Sequence, residues 1–101
     1  MWYLYILRCR DGSLYTGIAM DVAKRLAAHK AGKGAKYLRG RGPLALAYKS
    51  RIGPKGLALK VERRVKALPK VKKEQLVHKR LSIATLLPEI QQTPPGARPG
   101  R

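Results

Sequence analysis

The feature that most constrains this chain is a pair of short strand-like segments near its N-terminus, separated by a turn. Residues 2–8 are rich in aromatic, aliphatic and β-branched side chains, and a second such segment ends near Ile18. Asp11 and Gly12 lie between them, and both residue types are common in tight turns because they accept backbone conformations that others avoid. The pattern predicts a β-hairpin.

A helix and a third strand are predicted after the hairpin. Asp21 stands at the N-cap position of an amphipathic segment, and Gly32 is the expected C-cap residue at its end. A third strand is expected from Leu44 to Tyr48. This strand has to pair beside the hairpin to form one sheet.

Two further helices are predicted in the second half of the chain. Pro54 opens the first of them, at a position where the missing N–H of proline does no harm, and Pro69 ends or kinks it. The second, strongly basic, is expected from Val71 to about Ile83. The buried stripe of the first helix consists of Leu57, Val61, Val65 and Leu68.

The order strand, strand, helix, strand, helix, helix predicts an α/β (α+β) fold in which a small three-stranded antiparallel sheet is flanked by helices. One domain is expected over residues 1–83. Residues 84–101 form a C-terminal tail, which we expect to be largely disordered after Gln91 because three prolines follow Thr93.

The charge of the chain points to a polyanionic partner. Lysine and arginine number 23 against 5 acidic residues, for a formal net charge of +18, and nucleic acid is the leading candidate for such a surface. The basic residues are spread over the whole chain instead of forming one juxtamembrane cluster. No apolar run approaches the roughly 20 residues that span a bilayer, and no signal-peptide pattern is present. We expect a cytoplasmic protein that binds nucleic acid and no membrane.

Five residues could together perform phosphodiester chemistry. Tyr5 and Tyr15 lie on the two strands of the predicted hairpin, and Arg25 and His29 lie one helical turn apart on the first helix. Tyrosine hydroxyls can order a water molecule, and arginine can neutralise a phosphate. Glu62 supplies a carboxylate for one hard metal ion. A site with two metal ions is disfavoured because the chain contains only 5 carboxylates.

Each of these residues also has an ordinary structural explanation. Tyrosines in strands commonly fill a core. Asp21 and Arg25 are four residues apart, the spacing of a surface ion pair on a helix, and Glu62 and Lys66 have the same spacing. The residues alone leave both explanations open.

A basic, glycine-rich segment between the first helix and the third strand is the predicted substrate-binding loop. Its backbone can approach phosphates closely and its tyrosine offers a face on which a base can stack. A plain solvated loop is the alternative. The residues expected to contact nucleic acid are Lys33, Lys36, Tyr37, Arg39 and Arg41.

These motifs, in this order, resemble the GIY-YIG nuclease superfamily, and most closely its small stand-alone bacterial members. Residues 3–5, Tyr-Leu-Tyr, fall on the first family motif, and residues 15–17, Tyr-Thr-Gly, fall on the second. Residues 21–29 are similar to the family helix that carries a catalytic arginine and a histidine. Residues 60–66 are similar to the helix with the metal-binding glutamate.

The resemblance implies a metal-dependent endonuclease-type domain that hydrolyses DNA phosphodiester bonds. Tyr5, Tyr15, Arg25 and His29 would be its catalytic residues, and Glu62 would hold one divalent metal ion, Mg²⁺ or Mn²⁺. A protein partner that supplies specificity is compatible with this assignment, because a stand-alone domain lacks the specificity domains of larger members.

The chain departs from the family pattern at two places. Tyr3 replaces the first glycine of the first motif, as in the small members. The chain contains no asparagine, which many catalytic members carry after the glutamate, and Glu74 and Gln75 are the nearest polar residues.

Two other functions stay open at the level of sequence. The first is a non-catalytic nucleic-acid-binding module, for DNA or structured RNA, that retains the nuclease fold. The second is a small basic RNA-binding protein associated with ribosomes, which explains the charge but not the ordered motifs.

Overall fold

A three-stranded antiparallel sheet with the strand order β2, β1, β3 forms the centre of the fold. The computed structural model describes residues 1–86. Its strands are β1 (Trp2–Arg8), β2 (Leu14–Ala19) and β3 (Ala45–Gly53). The predicted sheet and its antiparallel pairing are confirmed.

The turn between β1 and β2 is closed by a side chain of the turn itself. The Asp11 carboxylate accepts hydrogen bonds from the Ser13 N–H at 3.0 Å and from the Ser13 hydroxyl at 2.7 Å. Gly12 has a φ of 87°, in the left-handed region that favours glycine. These contacts confirm the predicted hairpin.

Four helices pack around the sheet. They are α1 (Val22–Lys30), α2 (Lys55–Lys66), α3 (Lys70–Val77) and the short α4 (Ile83–Leu86). None of the helices within residues 1–86 is long and apolar enough to cross a membrane.

The predicted N-cap of α1 is confirmed, whereas the C-cap is Ala31 and not the predicted Gly32. The Asp21 carboxylate accepts a hydrogen bond from the Lys24 N–H at 3.0 Å, which satisfies one of the N–H groups left free at the helix start. At the other end, Gly32 takes a φ of 77° directly after the cap residue Ala31.

The two faces of the sheet bury two separate apolar clusters, because neighbouring residues of a strand point to opposite faces. Tyr5 and Leu7 belong to the cluster that includes Val22 of α1. Leu4 and Ile6 belong to the cluster that includes the α2 stripe and α3. β1 is therefore covered on both sides.

Two predicted boundaries differ from the structure. β3 extends to Gly53 instead of ending at Tyr48, because its polar second half pairs with the start of β1. The third helix ends at Val77 instead of continuing to about Ile83. Lys79 has a φ of 60° in the turn that follows, and this turn brings Leu81 and Ile83 against the α2 cluster.

The predicted tail lies mostly outside the described residues. Ile83–Leu86 form α4, and the expectation of disorder after Gln91 concerns a part of the chain that the structure does not describe.

A forked ion pair joins β1 to α3. The two terminal guanidinium nitrogens of Arg8, Nη2 and Nη1, donate to the Glu74 carboxylate at 2.7 and 2.8 Å. Lys70 and His78 each lie 3.7 Å from the same carboxylate. The hydrogen bonds from Arg8, followed by the positive charges of Arg8, Lys70 and His78, lower the pKa of Glu74 to about 2.

Glu74→Gln is therefore expected to remove one component of acid sensitivity. Because the folded-state pKa of Glu74 lies below its ordinary 4.5, its contribution is complete above about pH 4.5 and is lost as the pH falls toward 2. The carboxylate is partly exposed, so we expect a contribution of about 1–2 kcal/mol. Urea denaturation of both proteins at several pH values measures it. If the two proteins differed in their free energy of unfolding by the same amount at pH 7 and at pH 3, the prediction would be contradicted.

Candidate active site

A buried hydrogen bond between the hairpin and α1 forms the centre of the candidate site. The Tyr5 hydroxyl lies 2.9 Å from Nε2 of His29. Tyr5 is 2% exposed and His29 is 4% exposed. Since buried polar groups are stable only when paired, this contact holds both side chains in place.

Two glycines leave the space that these side chains occupy. Gly17 is the direct β2 partner of Tyr5, and a Cβ at Gly17 would lie 2.5 Å from the Tyr5 hydroxyl oxygen. A Cβ at Gly34 would overlap Nδ1 of His29. Gly17, in the second sequence motif, therefore has to be glycine for Tyr5, in the first motif, to occupy its position.

The backbone of the loop after α1 selects the tautomer of His29. The Ala35 N–H donates to Nδ1 of His29 at 3.2 Å, so Nδ1 carries no hydrogen. Burial, and then the positive charge of Arg25, lower the pKa of His29 below its ordinary value. A neutral imidazole has one N–H group. That hydrogen is therefore on Nε2, and His29 donates to the Tyr5 hydroxyl oxygen.

Charges from two helices act on the Tyr5 hydroxyl. Its pKa is raised to about 12, first by burial and then by the nearby Tyr15 and Glu62, whereas Arg25 lowers it. Tyr15 lies on the same side of the sheet, with its ring centroid 6.4 Å from that of Tyr5 and 5.7 Å from that of His29. The tertiary structure thus brings Tyr5, Tyr15 and His29 together, and the charges of Arg25 and Glu62 act on the Tyr5 hydroxyl.

Arg25 is free to bind an anion. Its side chain is exposed, and no carboxylate within residues 1–86 forms an ion pair with it. The surface pair with Asp21 that the spacing allowed is absent from this part of the chain, because Asp21 caps α1 instead.

Glu62 offers a single carboxylate for a metal ion. Its side chain is 19% exposed and pairs with Lys66 at 3.4 Å, so the ion pair that the sequence left open does form. Residues 1–86 contain no group of three acidic, histidine or cysteine side chains able to enclose a metal. Mg²⁺ is usually held by one or two carboxylates together with waters and substrate phosphates. Glu62 fits that mode, whereas Glu74 is engaged with Arg8.

The basic loop lies against the site. Tyr37 stacks on Tyr15 with ring centroids 5.9 Å apart, and the Arg41 guanidinium lies 4.2 Å from the centroid of the Tyr37 ring. Arg41 also pairs with Asp11 of the hairpin turn at 3.2 Å. The other basic residues predicted to bind nucleic acid are exposed: Lys33, Lys36 and Arg39.

Sequence reasoning missed two residues of the site. Gly34 makes room for the His29 ring, and Ala35 supplies the N–H that selects its tautomer. Neither carries a functional side chain, so only the position of the loop relative to α1 reveals them.

The fold is that of a GIY-YIG nuclease-type domain, and the chain belongs to that family: the model of the GIY-YIG catalytic domain matches residues 1–75. Among individual proteins, the chain is similar to the UPF0213 protein YhbQ of Salmonella typhimurium, with 50% identity covering 89% of this chain and 90% of that protein. It is 54% identical to a UPF0213 protein of Serratia proteamaculans, with 88% of each chain covered.

Two solved structures are also similar. One is the solution NMR structure of a UPF0213 protein from Bacillus halodurans, with 44% identity, a TM-score of 0.52, and coverage of 92% of this chain and 100% of that one. The other is the NMR structure of a protein from E. faecalis, with 34% identity, a TM-score of 0.54, and coverage of 77% and 83%.

Gly34→Ala is expected to destabilise the protein by about 1–3 kcal/mol, because the added methyl group overlaps the His29 ring. Gly56→Ala is the matched control, since a Cβ there meets nothing within 4 Å. In the double variant His29→Ala/Gly34→Ala the overlap disappears. The loss of unfolding free energy in the double variant should therefore be smaller than the sum of the losses in the two single variants. Strict additivity in urea denaturation would contradict the predicted clash.

The assigned tautomer of His29 is testable by NMR of the ¹⁵N-labelled protein. We expect the neutral ring to show the nitrogen shifts of the Nε2–H form, and to gain its second proton at a pH below the ordinary 6.5 because burial and Arg25 oppose the charge. An Nδ1–H pattern would show that the Ala35 contact does not control the ring, and protonation above 6.5 would contradict the effect of burial and Arg25.

Proposed function

We propose that the protein is a metal-dependent endonuclease that hydrolyses DNA phosphodiester bonds at the site around Tyr5, and that it acts in the cytoplasm. The observation that carries this proposal is the convergence of Arg25, Glu62 and His29, from two helices, on one buried tyrosine hydroxyl. A core tyrosine needs no such set of charges. A phosphoryl-transfer site needs a base, a cation and a metal ligand close together.

Tyr5 acts as the general base in the proposed reaction. Its hydroxyl proton leaves to solvent, and the N–H of His29 together with the charge of Arg25 stabilises the resulting phenolate, because a hydrogen bond donated to a charged form favours that form. The phenolate then removes a proton from a water molecule, which attacks the phosphorus in line. The new P–O bond forms as the bond to the leaving oxygen breaks, and that oxygen takes a proton from solvent.

Arg25 binds the scissile phosphate. Its exposed guanidinium can donate two parallel hydrogen bonds to phosphate oxygens and stabilise the charge that develops on them in the transition state. Its permanent charge also lowers the pKa of Tyr5. One side chain thus positions the substrate and assists the base.

The chain offers Glu62 as the protein ligand for a divalent cation, Mg²⁺ or Mn²⁺. When bound, the cation supplies positive charge that neutralises the phosphate and the Glu62 carboxylate. Since Glu62 is one of the groups that raise the pKa of Tyr5, neutralising its charge also favours ionisation of the tyrosine.

The basic loop supplies affinity for the DNA backbone. Lys33, Lys36 and Arg39 are exposed beside the site, and contacts of lysine and arginine with phosphates are independent of sequence and weaken steeply with salt. Arg41 and Tyr37 hold this loop on the hairpin. The loop therefore positions a strand and does not select its sequence.

A non-catalytic nucleic-acid-binding module is the second candidate. It is favoured by the pKa of Tyr5, which is raised to about 12. A tyrosine with this pKa keeps its hydroxyl proton near neutral pH. The chain also lacks the asparagine that many catalytic members carry. Such a module binds DNA or structured RNA equally well with and without a divalent metal.

Cleavage of labelled duplex, branched and single-stranded DNA with Mg²⁺ or Mn²⁺ distinguishes the two candidates. Tyr5→Phe, Arg25→Ala and Glu62→Gln should each reduce the rate by about 100-fold or more, because each removes a group that acts in the transition state. Glu62→Gln should keep most of the binding affinity. Lys66→Met is the matched control, since it removes the ion-pair partner of Glu62 and leaves the carboxylate.

Undiminished cleavage by purified Glu62→Gln would exclude the proposed site. Salt-sensitive binding that EDTA does not change, without cleavage of any substrate, would favour the binding module.

A further inference from the structure

A cleft of about 360 Å³ lies between the end of α1 and the basic loop. Its size is within the range of small-molecule sites, roughly 300–1,000 Å³. Leu38, Pro43 and Leu44 supply apolar walls, and Lys30 and Arg39 supply positive charge. The mechanism proposed above uses none of the three apolar residues.

The cleft adjoins the reacting centre. His29 lines it, and Nε2 of the same imidazole lies 2.9 Å from the Tyr5 hydroxyl. A ligand in the cleft is therefore separated from the Tyr5 hydroxyl by one side chain. This adjacency is the reason for placing there a nucleotide next to the scissile phosphate.

Polar groups in the cleft wall suit a heterocyclic ligand. Gly40 and Gly42 line the cleft, and their N–H groups donate to no atom within residues 1–86. Glycine also lets a ligand approach the backbone closely. A nucleobase has apolar faces and an edge of hydrogen-bond acceptors, and it is attached to a phosphate that the basic rim attracts.

The aromatic side chain that the sequence predicted as a stacking platform is already engaged. Tyr37 stacks on Tyr15 at an interplanar angle of 22°, and the Arg41 guanidinium lies over its ring. Tyr37 already contacts two protein groups although it is 46% exposed, and the cleft offers a second place where a base can bind.

We propose that this cleft binds an unpaired nucleobase of the strand whose phosphate lies at Arg25. The inference rests on the proposed function, because it takes a nucleic-acid strand to be the substrate. It adds that the protein prefers strands with a base free to leave the duplex, such as single-stranded or branched DNA.

Gly42→Leu is designed to fill the cleft without disturbing the fold. A Cβ at Gly42 would have its nearest contact at 3.9 Å, an ordinary van der Waals distance, and Gly42 is not among the glycines with positive φ. Gly56→Leu is the matched control, because it makes the same change in α2, where a Cβ meets nothing within 4 Å.

Fluorescence anisotropy in EDTA measures binding without cleavage. The two probes are a short oligothymidylate and an abasic strand with the same number of phosphates. We expect the wild type and Gly56→Leu to bind the oligothymidylate about fivefold tighter or more, as removal of a stacking contact would predict. Gly42→Leu should bind both strands with the affinity that the wild type has for the abasic one.

Three results would overturn the inference. They are equal binding of both strands by the wild type, a preference for bases that survives Gly42→Leu, and no binding of either strand. The last would also contradict nucleic-acid binding itself, whereas the first two leave the proposed nuclease intact because cleavage is measured separately.

Titration of the ¹⁵N-labelled wild type with thymidine 5′-monophosphate provides a test that requires no variant. We expect the amide resonances of Gly40 and Gly42 to shift in a saturable manner while that of Gly56 stays in place. Unchanged resonances for both loop glycines would rule out the cleft as the base site.

Discussion

The hydrogen bond between Tyr5 and His29 is the interaction on which the organisation of the site depends. It joins the central strand to α1 through two side chains that are almost completely buried. The bond forms because Gly17 leaves room for the tyrosine and Gly34 leaves room for the imidazole. Ala35 sets the direction of this bond, because its N–H occupies Nδ1 and leaves the hydrogen on Nε2, so that His29 donates.

The two faces of the sheet carry different groups of side chains. On one face, Leu4 and Ile6 pack against α2 and α3, and the forked Arg8 pair with Glu74 fastens α3 to β1. On the other face, Tyr5 shares its apolar surroundings with α1 and the basic loop. Glu62 comes from a helix that packs on the first face, yet its charge acts on the Tyr5 hydroxyl. The site is therefore sensitive to the packing of both layers.

The positive charge of Arg25 lowers the pKa of both ionisable groups at the centre, which favours the charged form of Tyr5 and the neutral form of His29. Arg25 lowers the pKa of Tyr5 because it stabilises a phenolate, and it lowers the pKa of His29 because it opposes a second positive charge. A neutral histidine that donates to a tyrosine is the arrangement that follows. Burial, the neighbouring Tyr15 and the Glu62 carboxylate oppose the phenolate, so the pKa of Tyr5 is raised to about 12.

Local patterns in the sequence determined the hairpin, the Asp21 cap and the stripe of α2, because turn chemistry, capping and helical periodicity depend on neighbours along the chain. They also identified the candidate residues of the site. The length of β3 and the end of α3 were decided by contacts between distant segments, with β1 in the first case and with the α2 cluster in the second. Contacts between distant segments also decided that His29 donates to Tyr5 and that a cleft lies beside it. Both depend on where the loop after α1 lies in space, and a hydrogen bond to a backbone N–H leaves no signal in the side-chain sequence.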